Sequence, residues 1–248
     1  MYGHALIECI GIKFLAEAQA ERLRHGPGME VLRYLSPRRW AGPPSFEFRL
    51  EVLVASEPVP EPAAAVIRAF PDEAVVIRSY ERARPIDRSA LFMPLLARAI
   101  PKKIERPSVR RIVDQRDLEL VNRTHLGDDA VRAGILSEPR IRAFFIEREG
   151  QAIASGAIVM SELKIAYIAD MFVVPGFRGQ GYGRAILSAL LAEAGDSGAE
   201  QAILLPSPQA RKMKFYENAG FRLAGGLRVV HLLPRALSSI LVVDRPST

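Results

Sequence analysis

Cysteine is almost missing from this chain: of 248 residues, only Cys9 is one. An internal disulfide is therefore excluded, and a reducing cytoplasm is the expected setting. A single cysteine near a terminus reads as a small packed residue rather than a nucleophile. The four histidines, His4, His25, His125 and His231, are scattered, with no His-x3-His or Cys-x2-Cys pair among them. Neither a structural nor a catalytic metal is expected from such a set. No apolar run approaches the roughly 20 residues of a membrane span. The stretch from Met1 to Glu8 lacks the positive flank and unbroken apolar core of a signal peptide. No membrane partner is expected. An arginine-rich arm is also missing, as are exposed aromatics interleaved with basic residues. Lys and Arg outnumber Asp and Glu by 34 to 28, giving a formal charge of +6, but the two signs are mixed along the chain. That distribution disfavours a nucleic-acid partner and suits a protein that handles a small polyanion.

Hydrophobic residues make up 49% and charged residues 25%, enough for one large or two small domains with a proper core. Residues 5–24 carry Leu6, Ile7, Ile10, Phe14, Leu15 and Ala18 near helical spacing, with Gly26-Pro27-Gly28 as the stop. Met29 to Leu35 is apolar but of undecided type, and Gly42-Pro43-Pro44 is a break. Phe46, Phe48, Leu50, Val52 and Val54 alternate with charges and read as a half-buried strand. A short helix over Ala63 to Phe70, a strand over Ala74 to Tyr80 and a helix over Ser89 to Ile100 complete a small N-terminal α+β domain, residues 1–104. Pro101 to Pro107 reads as the linker to a second domain, residues 105–248. The first domain offers no glycine loop and no clustered acids. A substrate-shaping or dimerising unit, a degenerate copy of the second domain and a structural appendage all remain open for it.

The second domain is organised around Val173-Val174-Pro175-Gly176-Phe177-Arg178-Gly179-Gln180-Gly181-Tyr182-Gly183-Arg184. The apolar run from Tyr167 to Val174 enters this stretch and a periodic apolar segment, Ala185 to Ala194, leaves it. Strand, glycine-rich turn and helix follow from that order. Glycines let backbone amides close on a ligand, and the first amides of a helix lie at the positive end of its dipole without intrahelical partners. Such a turn is a site for a phosphate or pyrophosphate, with Arg178 and Arg184 on its rim. A P-loop requires Lys-Ser or Lys-Thr after its second glycine, and none follows. A dinucleotide loop requires Gly-x-Gly-x-x-Gly, whereas Arg184 stands where the last glycine would fall after Gly179 and Gly181. Glu200, near the distance of a ribose-binding acid, precedes its strand instead of following one.

What remains, Arg178-x-x-Gly181-x-Gly183 after an apolar strand and Pro175, resembles the acyl-CoA-binding signature of the GNAT superfamily of N-acetyltransferases. Phe215-Tyr216-Glu217-Asn218-Ala219-Gly220-Phe221 is similar to that superfamily's second signature, and lies at a suitable distance downstream. The resemblance covers about residues 108–233. It implies a mixed α/β (α+β) fold: a GNAT-like central, mostly antiparallel sheet flanked by helices. In the expected order, Val109 to Val113 is the first strand and Asp114 begins a helix. Asp128-Asp129 lies between helices. Ile141 to Glu147, Ala152 to Met160 and Lys164 to Val174 are strands. A helix ending at Gly195 follows, then a strand over Gln201 to Leu205 and a helix from Pro208 to Asn218. Val229 to Leu233 is a further strand, and Ile240 to Val243 reads as one more.

The resemblance also implies the chemistry: transfer of an acetyl or short acyl group from acyl-CoA to a primary amine by direct attack in a ternary complex. Phe172, Val173 and Val174 would hold the pantetheine arm as an added strand. Arg178, Gly179, Gln180, Gly181, Tyr182, Gly183 and Arg184 would hold the pyrophosphate. By its place in the motif Tyr216 is the candidate acid for the CoA thiolate, and Asp170, on the strand entering the loop, is the candidate base unless ordered water serves. Gln209, seven residues before Tyr216, stands where many relatives carry an asparagine that contacts pantetheine. Arg211, Lys212 and Lys214 make this helix unusually basic. Two other classes stay open: a non-catalytic acyl-CoA sensor using the same loop, and a basic nucleic-acid-binding protein. The acceptor amine and the oligomeric state are not legible, although a homodimer is common in such enzymes.

Overall fold

The computed structural model describes residues 1–248 apart from 19, 38–45, 56–58, 71–72, 82–90, 105–106, 126–132, 208 and 233–248. Two compact units divide the chain. One runs from Gly3 to Pro94 and takes in, of the described residues, Gly225 to Leu232; the other is Leu95 to Ala224.

The first unit opens with α1 (Tyr2–Glu17), followed by β1 (Glu21–Gly26), β2 (Met29–Pro37), β3 (Phe46–Val54), α2 (Glu61–Ala69) and β4 (Ala74–Glu81). β1, β2 and β3 form an antiparallel meander, and α2 carries the chain across to β4, which lies parallel to β3. One face of this sheet packs Val31, Leu50, Val52 and Val75 against Ala63 and Ile67 of α2. The other face buries charge. Glu30 accepts from Arg22 Nε at 2.5 Å, Glu51 pairs with Arg78, and the Tyr34 hydroxyl donates to Glu51 at 3.3 Å. Both carboxylates are almost fully enclosed. Burial raises the Glu51 pKa from its ordinary value, against the opposing pull of Arg78. α1 closes over this face at Gly11, where a β-carbon would stand 1.9 Å from Glu30 Oε2. A side chain there would force the Glu30 carboxylate to move.

The second unit contains the end of β5 (Leu91–Ala99), then β6 (Arg110–Arg111), α3 (Gln115–Asn122), β7 (Ile141–Arg148), β8 (Gln151–Met160), β9 (Ile165–Val173), α4 (Tyr182–Asp196), β10 (Gln201–Leu204) and α5 (Ala210–Asn218). β11 (Arg222–Leu232) starts here and passes to the first unit. The strand order is β5-β10-β9-β8-β7-β6, and only β9 and β10 run parallel. This is the mixed α/β architecture with a mostly antiparallel sheet that the motifs led us to expect. Asp114 caps α3 by accepting from the Asp117 amide at 2.9 Å. Ile186, Leu187, Leu190, Leu191 and Ala194 of α4 enter the core beside Ile158 and Ile168.

The two units repeat one topology. Each places a helix before a three-stranded antiparallel meander, then crosses through a helix to a strand parallel to the third. The antiparallel neighbour of that last strand is exchanged: β11 pairs with β4, whereas β5 pairs with β10.

Two expectations are corrected. The helix expected over residues 5–24 ends at Glu17, and Glu21–Gly26 is strand. β1 is a mostly exposed edge whose single apolar residue, Leu23, gives no alternation to read. The helix expected over Ser89 to Ile100 is instead β5. Leu95, Leu96 and Ala97 are buried in succession, as in a strand covered on both faces, a pattern that periodicity does not separate from a buried helix. Smaller differences concern ends. The first strand expected at Val109 to Val113 shrinks to two residues, and β11 begins at Arg222, not Val229. Gly42-Pro43-Pro44, Asp128-Asp129, Pro208 and Ile240 to Val243 lie outside the described residues.

Candidate functional site

β9 is irregular where the site begins. Ala157 pairs with Ala169 and Ser155 with Phe172, so β9 holds one more residue than β8 over this interval. The extra residue makes a bulge, with Asp170 at φ +52° and exposed. Aspartate tolerates this left-handed conformation better than most residues. On the other side, pairing with β10 stops at Ile168 and Leu204, while β9 continues to Val173. The Val174 amide donates to Ile153 O of β8 at 2.9 Å. By strand alternation Val173 then turns its polar groups to the opposite edge, where its carbonyl accepts from Arg178 Nε at 3.0 Å. Among the described residues no strand covers this edge of Phe172, Val173 and Val174.

The loop follows directly. A single 3-10 turn, Pro175–Phe177, is closed by the Phe177 amide on Val174 O and the Arg178 amide on Pro175 O. Gly179 and Gly181 have φ of +82° and +89°, and a β-carbon at either would meet nothing within 4 Å. They are glycines for backbone conformation and not for lack of room. Gln180 Nε2 donates to Gly176 O at 3.2 Å, holding the loop on itself. Gly181 caps α4 with no side-chain acceptor, and the first turn carries no acid. The amides of Tyr182, Gly183 and Arg184 are consequently without intrahelical partners at the positive end of a 15-residue helix. Arg178 and Arg184 are exposed beside them, and Tyr182 is half-buried, its ring 5.5 Å from the Arg148 guanidinium.

Gly183 brings the parts together. A β-carbon there would lie 3.5 Å from Phe215 Cζ and 3.6 Å from Val173 Cγ2. The first turn of α4, the end of β9 and the side of α5 meet at this point. Tyr216 follows Phe215, with the two rings edge to face at 4.9 Å. It also stands edge to face with Phe221 at 6.0 Å. Tyr216 is half-buried, and burial pushes its pKa up to about 12. Its hydroxyl makes no hydrogen bond to another described residue. Such a phenol stays protonated at neutral pH and has a proton to give. α5 is capped at Ala219 and the chain turns away at Gly220, φ +89°, with the Phe221 amide on Tyr216 O at 3.0 Å. Arg98 of β5 closes the same end: its guanidinium donates to Ala219 O and lies 5.7 Å from the Phe221 ring.

Gln209 sits at the other end of α5, exposed at the N-cap position without a side-chain cap bond. Seven residues of helix put it about 10 Å along the axis from Tyr216. Arg211, Lys212 and Lys214 are exposed on the same helix.

Sequence reasoning passed over three residues. Gly156 of β8 has Ile186, Leu190 and Met171 so near that a β-carbon would stand 2.8 to 3.0 Å from each. It is what lets α4 lie close to the sheet. Ser155 and His125, on the opposite face, form a buried pair with Ser155 Oγ 2.7 Å from His125 Nε2. The His125 ring packs on Phe172 at 4.3 Å. No spacing links His125 and Ser155, which are 30 residues apart. Among the described residues no group of three or more His, Cys, Asp or Glu is placed to hold a metal ion, and no helix is long and apolar enough to cross a membrane.

Residues 108–221, a little under half the chain, match the model of the acetyltransferase (GNAT) family. Among solved structures, a GCN5-related N-acetyltransferase from Kribbella flavida is similar with a TM-score of 0.58 at 15% identity, covering 91% of this chain and 93% of that one. A putative acetyltransferase of the GNAT family from Novosphingobium aromaticivorans gives 0.57 at 15% identity, over 86% and 90% of the two chains. At such identities the likeness is one of fold. No curated protein sequence matches the chain significantly.

Proposed function

We propose, from the match of residues 108–221 to the acetyltransferase (GNAT) family model, that the protein transfers an acetyl or short acyl group from acyl-CoA to a primary amine. The observation that carries this reading is the convergence at Gly183: an acid-free, glycine-capped helix start meets an uncovered strand edge and the helix bearing Tyr216. In this reading the amides from Gly179 to Arg184, with Arg178 and Arg184, receive the pyrophosphate. Arg178 would release the Val173 carbonyl as the pantetheine amides pair with that edge. Tyr216 supplies the proton that the departing thiolate takes. Asp170 is exposed at the bulge and serves as a base, or orients a water that does. Gln209 is too far along α5 to act beside Tyr216, and we assign it to the outer part of the donor site. The single, buried Cys9 accords with a reducing cytoplasm.

For the first unit the reading is a degenerate repeat. The loop before α2 contains no glycine, Pro60 is the cap, and Glu61 occupies the first turn. A carboxylate there repels phosphate from the place where α4 would attract it. We assign acyl-CoA to the second unit alone.

The test is turnover of acetyl-CoA, followed by thiol release, against a panel of primary amines: polyamines, amino acids, aminoglycosides and peptides with free N-termini or lysines. Amine-dependent thiol release supports the reading. Tight acetyl-CoA binding with no release for any amine would favour a sensor instead.

A further inference from the structure

At the end of β9 only Val173 turns its backbone polar groups to the open edge. The Val174 amide bonds to Ile153 O of β8 at 2.9 Å. Alternation along an antiparallel pair then directs the polar groups of Phe172 and Val174 toward β8 and those of Val173 away from it. Pairing with β10 has already stopped at Ile168, so among the described residues no strand uses this edge. Whatever is laid along residues 172–174 as an added strand finds one main-chain acceptor there, the Val173 carbonyl.

That acceptor is occupied. Arg178 Nε donates to Val173 O at 3.0 Å across the 3-10 turn, Pro175–Phe177, that separates the two residues. An added strand would have to bring its own N–H to the place where this Nε–H stands. The guanidinium is thus both a bond to the carbonyl and a plug on the edge. The side chain is exposed, and this is its one hydrogen bond to a described residue. Such a plug is light and can be drawn off.

The neighbouring loop supplies what would draw it. The amides beside Arg178, from Gly179 to Arg184, form the place assigned above to the diphosphate of the donor. A guanidinium takes an ionised phosphate through two parallel bonds, whereas Val173 O is a single uncharged acceptor. One cation therefore faces two competing acceptors, and the phosphate prevails when it is present.

We propose that Arg178 makes the donor site selective for thioesters that carry a diphosphate. The guanidinium closes the strand edge until a diphosphate draws it off, and a pantetheine thioester that ends short of that group meets the edge closed. The inference rests on the acyl-CoA reading above and adds to the contacts that the diphosphate makes for itself. A ligand that cannot move the plug binds only the open fraction of the protein, and its apparent affinity is lowered by that fraction.

The experiment reads binding and needs no acceptor amine. Wild type, Arg178→Ala and Arg178→Gln are each melted over a range of concentrations of CoA and of pantetheine, and dissociation constants are taken from the rise in stability. Arg178→Ala removes the plug together with a phosphate contact. It is expected to bind pantetheine about three- to tenfold more tightly than wild type, the worth of one hydrogen bond, and CoA more weakly. Glutamine carries Nε2 as many bonds from the backbone as arginine carries Nε, so Arg178→Gln keeps a donor for Val173 O. Its pantetheine affinity is expected within about twofold of wild type. Folded Arg178→Ala with no gain for pantetheine, or with an equal gain for both ligands, overturns the proposal and leaves the acyl-CoA reading intact. A gain in Arg178→Gln as large as that in Arg178→Ala overturns it too, because the bond would then not be what closes the edge. Folded wild type that binds neither ligand overturns the acyl-CoA reading and the proposal together. Arg178 is exposed, so neither substitution removes a buried contact.

Discussion

Gly183 and Phe215 stand against each other across the start of α4, with 3.5 Å between Phe215 Cζ and the place a β-carbon would take at Gly183. That distance is ordinary contact, so alanine is admissible and a longer side chain is not. Gly183→Ala is expected to keep the fold and acetyl-CoA stabilisation. Gly183→Leu should push α5 outward, lowering kcat with acetyl-CoA more than about tenfold. Thermal melting and initial rates on both variants check this pair of outcomes.

Tyr216 is expected to act as an acid, so Tyr216→Phe should lower kcat by about 100-fold or more while leaving the acetyl-CoA melting shift in place. Its pH behaviour follows from burial. With the folded pKa pushed up to about 12 against an ordinary 10, folding favours the protonated phenol. The stability this contributes is complete below pH 10 and is lost as pH rises from 10 to 12. Burial pushes Tyr34 up to about 12 as well, so ultraviolet titration of phenolate should show one fewer tyrosine ionising near 12 in Tyr216→Phe than in wild type.

Gly156 makes a cleaner test of packing. Ile186, Leu190 and Met171 leave no room for a β-carbon, so Gly156→Ala must shift α4 or the sheet. A loss of about 1–3 kcal/mol in denaturant unfolding is expected. A neutral result would mean that α4 sits less tightly on β8 than described.

In the first unit the pair Glu51 and Arg78 should behave as a buried charge couple. Arg78→Ala leaves Glu51 enclosed without that partner and should cost about 3–5 kcal/mol at neutral pH. Burial already raises the Glu51 pKa, and losing Arg78 raises it further. A raised carboxyl pKa means that stability returns as pH falls toward it and is lost as pH rises through it. The deficit of Arg78→Ala relative to wild type should therefore shrink in mild acid, measured by urea unfolding at several pH values.

The parts of this protein that could be read from its sequence are those with local signatures. The run from Val173 to Arg184 requires positive φ at Gly179 and Gly181, and glycine at those places shows in the sequence. Asp114 shows as a cap because capping is settled within four residues. β3 shows because apolar Leu50 and Val52 alternate with the charged Arg49 and Glu51, although the sequence does not show that Glu51 is buried too. β5 did not show, since Leu95, Leu96 and Ala97 are buried together and carry no period. His125 and Ser155 did not show because they meet only when α3 lies on β8. Nor did the exchange of β5 and β11, which is a choice of partner between two equivalent places and leaves no mark on either strand.

The central claim is that acyl-CoA binds at the glycine-capped start of α4. Its most direct test is thermal unfolding with and without millimolar acetyl-CoA, wild type beside Gly181→Glu. Ligand at about 100 times its dissociation constant adds roughly 2.7 kcal/mol of stability. The account predicts a clear rise in melting temperature for wild type. It predicts none for the variant, whose glutamate puts a carboxylate among the loop amides at a position of φ +89°. Wild-type protein that is folded and does not respond, or a folded Gly181→Glu variant that responds equally, would contradict it.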